Sequence, residues 1–141
     1  MSYKAALIDN IYYVRWQEPE RPDPNRIFRE VSQAVKSIGQ PVIYIAVSPE
    51  SSPAPDKETR QEMVRIFEHL SQHCTSMHLV YEARGFKASI KRNVMTGILL
   101  ASKKFEKVKV HKSEDEALAG LVEWVDLDRF RQRTSALGLN R

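Results

Sequence analysis

The chain has 141 residues, 42% of them hydrophobic and 28% charged, which is too apolar for a disordered segment and too short for two domains of ordinary size. No apolar run approaches the roughly 20 residues that span a bilayer, and the start, Met1-Ser2-Tyr3-Lys4, lacks the marks of a signal peptide, so a cytoplasmic protein is expected. The single cysteine, Cys74, excludes an internal disulfide, and no Cys/His cluster has zinc spacing, so neither a cofactor nor a metal is expected.

Residues 3–8 and 11–16 are short runs rich in aromatic and β-branched side chains, separated by Asp9-Asn10, the pattern of a two-residue hairpin. After a proline-stiffened loop, Asp23 reads as an N-cap with Pro24 at the first helical position. Ile27, Phe28, Val31, Val35 and Ile38 then recur at helical spacing up to Gly39, which suits a left-handed C-terminal residue. Residues 41–48 form the most continuous apolar run of the chain, the signature of a central strand covered on both faces, and the Ser/Pro-rich segment from Ser48 to Pro55 ends it. Asp56 caps a second expected helix with Met63, Val64, Phe67 and Leu70 on its apolar stripe, which Cys74 could extend. Residues 77–81 read as the next strand. A third helix is expected from about Lys87 or Ser89, with Ile90, Val94, Ile98 and Ala101 on one side. Val108 and Val110 alternate with lysines in the manner of a half-exposed edge strand. Ser113 with Glu116 forms a capping box, opening a helix expected to turn Ala117, Leu118, Leu121, Val122 and Val125 inward, and 126–141 is a C-terminal extension that continues it or forms a further short helix.

Strands alternating with helices imply one α/β domain over residues 1–141: a mixed, mainly parallel sheet, an N-terminal hairpin and about four packing helices. That order, with Ser113-Glu114-Asp115-Glu116-Ala117-Leu118 after a short strand, resembles the STAS domains of sulfate transporters and anti-sigma factor antagonists, and among them the SpoIIAA-like and Sec14-associated bacterial relatives. The resemblance covers nearly the whole chain. It implies a non-enzymatic regulatory module that docks to a protein partner, or alternatively a module binding an anionic or lipid ligand; a homodimer is a further candidate assembly. The family's phosphoacceptor serine sits in an Asp-Ser-Ser-Gly type motif, which this chain lacks. Ser48, Ser51, Ser52, Asp56 and Thr59 occupy the corresponding loop and are the expected partner or ligand site by location.

The remaining candidate chemistry is basic. Between residues 84 and 112 nine Lys/Arg residues stand against the single acid Glu106, and Arg84, Gly85, Lys87, Lys91 and Arg92 gather where the third helix should begin. An anion or acidic partner at that end would gain from both the side chains and the helix dipole. With only Phe86 and Phe105 available for stacking, sequence-specific nucleic-acid binding is not expected. His69, His73, His78 and His111 read as scattered, with His69 and His73 as exposed helix residues. Cys74 reads as a small buried hydrophobe.

Overall fold

The structure is a computed structural model, and it describes residues 3–16, 24–48, 57–82, 90, 92–94, 96–97, 106–123 and 125–139. Its frame is a five-stranded mixed sheet in the order β1 (Tyr3–Ile8), β2 (Ile11–Trp16), β3 (Val42–Ser48), β4 (Cys74–Tyr81), β5 (Val108–His111). β1 and β2 are the antiparallel hairpin; every later neighbour is parallel. The hairpin turns at Asp9, which takes φ +53°, a conformation that Asp tolerates better than most residues. β3 is buried at all seven positions, as its unbroken apolar run requires.

The two faces of the sheet have separate cores because side chains alternate along each strand. One face carries Tyr12, Val14, Tyr44, Ala46, Met77 and Leu79, packed under α1 (Pro24–Ile38) and α2 (Lys57–Leu70). The opposite face carries Ile11, Tyr13, Ile43, Ile45, Val47 and Val80, under α3 (Glu114–Ala119) and α4 (Leu127–Ala136). α1 stops at Gly39, whose φ of +71° supplies the left-handed residue, with its N–H bonded to Val35 O at 2.9 Å. The described residues between 90 and 97 are helical, and Ile90 of the expected apolar side is exposed.

In the C-terminal part the helix after β5 is shorter than expected, and of the two alternatives for residues 126–141 a further short helix is the one found. The helix opened by Ser113, whose Oγ accepts from Glu116 N at 3.0 Å, ends at Ala119. The chain turns, leaving Leu121 buried and Val122 exposed, and Asp126 caps a separate helix by accepting from Arg129 N at 3.1 Å. Residues 126–139 are no appendage. Phe130 is fully buried and meets the Tyr13 ring edge to face at 5.4 Å between centroids, and Arg15 Nε donates to Leu139 O at 2.5 Å. Among the described residues, no helix is long and apolar enough to cross a membrane.

Candidate functional site

In parallel sheets the carboxyl ends of the strands are where ligands and partners are usually met. Here β2, β3 and β4 end at Trp16, Ser48 and Tyr81, and these three line a notch with Tyr44, Leu79 and the α2 residues Met63, Ile66 and Phe67. The walls are apolar, apart from the hydroxyls of Ser48, Tyr44 and Tyr81. Its volume is about 20 Å³, room for about one water.

Beside the notch, on the other side of the sheet, Arg15 Nη2 lies 3.3 Å from Glu82 and 3.7 Å from Glu114. Burial raises the Glu114 carboxyl above its usual range, against the opposing pull of the Tyr13 and Arg15 contacts. The Arg15 side chain is thus committed both to these acids and to the Leu139 carbonyl, which anchors the C-terminal segment beside the strand ends.

Of the loop residues expected to meet a partner, Ser48 is the last residue of β3 and is buried. Thr59 lies in the first turn of α2. Ser51, Ser52 and Asp56 fall outside the described residues, as do Arg84, Gly85, Lys87 and Lys91 of the basic cluster. Arg92 is half-buried, and its Nη1 donates to the Tyr81 carbonyl at 3.4 Å. That ties the basic helix to the end of β4, so this arginine takes part in the fold instead of standing free in solvent.

The histidines are not scattered. His69 of α2 is half-buried and stacks on Phe28 of α1 with centroids 4.0 Å apart; burial lowers its pKa, as does the neighbouring His73. His78 of β4 and His111 of β5 meet nitrogen to nitrogen, Nδ1 to Nε2, at 2.8 Å. Their ring centroids are 5.1 Å apart and their planes 28° apart, so the rings lie end to end and close to coplanar. Ser76 Oγ touches the other nitrogen of His78, Nε2, at 2.9 Å, and Glu116 of α3 lies 3.6 Å from the other nitrogen of His111, Nδ1. Glu116, expected to complete the capping box, has its carboxylate by His111 instead.

Sequence reading missed this row because its ends, Ser76 and Glu116, lie 40 residues apart in the chain. The available signal was parity. His78 pairs with Lys109 and Val80 with His111, which puts both imidazoles on the α3 side of adjacent strands. Burial lowers the His78 pKa to about 4, with His111 and Lys109 adding to the effect. His111 is lowered for the same main reason, with Glu116 pulling the other way.

Cys74, the first residue of β4, is the small buried residue expected: burial pushes its thiol up to about 12 despite nearby Lys107. A thiol so rarely ionised at neutral pH is a poor nucleophile. Among the described residues, no group of three or more His, Cys, Asp or Glu side chains could hold a metal ion. Comparison of the chain with family models, with curated proteins and with solved structures finds no match.

Proposed function

We propose that this protein is a STAS-like regulatory module that works by docking to a protein partner at the carboxyl ends of β2, β3 and β4. The observation that carries the reading is the notch itself. Trp16, Tyr44, Tyr81 and Phe67 converge at the strand ends around about 20 Å³, against the several hundred Å³ of a small-molecule pocket. These four side chains are buried and leave no chamber for a lipid, so a partner is met by the strand ends and exposed positions around the notch, such as Glu82. The five-stranded mixed sheet with helices on both faces is compatible with the α/β architecture of that reading. Arg92 reaches the same strand end, and Arg84, Lys87 and Lys91 lie near it in sequence, so the partner surface that fits is acidic.

A photo-crosslinking amino acid at the exposed position Glu82, beside the strand ends, tests this against the same probe at Gln72, exposed at the opposite end of β4. In cells that make the protein, position 82 should capture a protein and position 72 should not. Capture weakened by raised salt would fit an acidic partner, since exposed charges are screened beyond about 10 Å at 0.1 M. No adduct at position 82, with a small molecule retained in native mass spectrometry, would replace docking by the ligand-binding reading.

A further inference from the structure

The Ser76, His78, His111, Glu116 row has a direction. A carboxylate can only accept, so Glu116 favours the proton of His111 on Nδ1, leaving His111 Nε2 as a bare acceptor. His78 Nδ1 must then carry the proton shared across the 2.8 Å contact. That leaves His78 Nε2 bare, and the Ser76 hydroxyl 2.9 Å away is its donor. The tautomers follow one from another, and each proton points from the serine toward the acid.

The arrangement meets the geometric signature of an activated nucleophile: a hydroxyl within hydrogen-bond reach of a base, and the base oriented from behind by a third group. Here His111 does the orienting, with Glu116 behind it. His78 is buried, while Ser76 in front of it is only half-buried, so the serine is reachable from solvent; Glu116 at the other end of the row is exposed. The groups facing His78 are Ser76 on its own strand, His111 and Lys109 on β5, and Glu116 of α3 through His111. On the β3 side its neighbours are the apolar Ile43 and Ile45.

We propose that Ser76 is a nucleophile that accepts an acyl group from an activated ester, with His78 as its base and His111 as the positioning residue. Ser76 Oγ forms the bond to the ester carbonyl carbon while its proton passes to His78 Nε2. The tetrahedral adduct collapses by breaking the bond from carbon to the leaving oxygen, which takes that proton from Nε2. The products are acyl-Ser76 and the free alcohol or phenol, with no oxidant or reductant needed. While His78 is protonated, its Nδ1–H still donates to His111, whose Nδ1–H faces Glu116, so the transient positive charge is met by a row of aligned dipoles ending in a carboxylate.

The test uses 4-nitrophenyl acetate and a fluorophosphonate probe on the full chain, read by intact mass and peptide mapping. One adduct is expected, on Ser76. Ser76→Ala should abolish it, and His78→Gln should slow labelling at least tenfold while far-UV circular dichroism stays that of the folded protein. Labelling of the unmodified protein should fall on acidification with a midpoint nearer pH 4 than pH 6.5, following protonation of His78. If His78→Gln fails to fold, this pH profile and His111→Gln carry the test, since loss of the positioning group should slow labelling without moving the adduct from Ser76. No adduct on Ser76 between pH 5 and 9, or labelling that survives Ser76→Ala, would overturn the proposal and leave the row as a structural link between β4, β5 and α3.

Discussion

At the scale of single residues, the histidine pair also makes stability depend on pH. His78 has a pKa of about 4 in the folded chain against about 6.5 for an unfolded histidine, so the unfolded chain takes up the proton first as pH falls. Its contribution to stability is therefore complete above about pH 6.5, is lost progressively toward pH 4, and changes no further below that. The shift corresponds to a loss on the order of 3 kcal/mol, and His111, lowered in the same direction, adds to it. Urea midpoints at pH 7, 5.5 and 4 should fall in that order, and the slope should flatten in His78→Gln. Parity along the strands gives only the face each imidazole takes; in the sequence His78 and His111 are otherwise merely two of four histidines. What joins them is the register between β4 and β5, a property of how distant strands align and not of any local pattern.

At the scale of elements, local chemistry was far more legible. The hairpin at Asp9-Asn10, the inward stripe of α1 and its stop at Gly39 all follow from spacing and turn residues that act within a few positions. Gly39 shows the physics at its simplest: nothing lies within 4 Å of where a Cβ would stand, so Gly39→Ala meets no clash, only the cost of holding φ at +71°. That cost is about 1 kcal/mol. Gly39→Asn should lose less, and thermal melts of the two variants check the order. The reading failed where two capping signals competed with a helical stripe. Leu121, Val122 and Val125 keep a helix-like spacing beyond Ala119, but α3 stops at Gly120 and Asp126 starts a new helix. Val122 is exposed in consequence. Glu116 stands in the first turn of this short helix, where the Ser113 cap holds its backbone N–H and its carboxylate lies 3.6 Å from His111.

At the scale of the whole molecule, α1 and α2 close one face of the sheet, and the chain from Ser113 to Leu139 closes the other. Phe130 is the centre of that second lid. Phe130→Ala should cost roughly 3–5 kcal/mol, the usual range for a fully buried aromatic, and denaturant titration should show the loss. The order in which the chain is made gives this arrangement a temporal consequence. A ribosome releases β1 to β4 with α1 and α2 well before the segment that carries Phe130, Arg15's partner carbonyl on Leu139 and the cover over Ile11, Tyr13 and Ile45. Until that last segment emerges, half of the sheet's apolar surface faces water, the condition in which nascent chains stick to one another. Arrested nascent chains ending before residue 127 should be digested quickly by protease, and those that have extruded residue 139 should resist, so that the sheet waits half-covered until its second lid arrives.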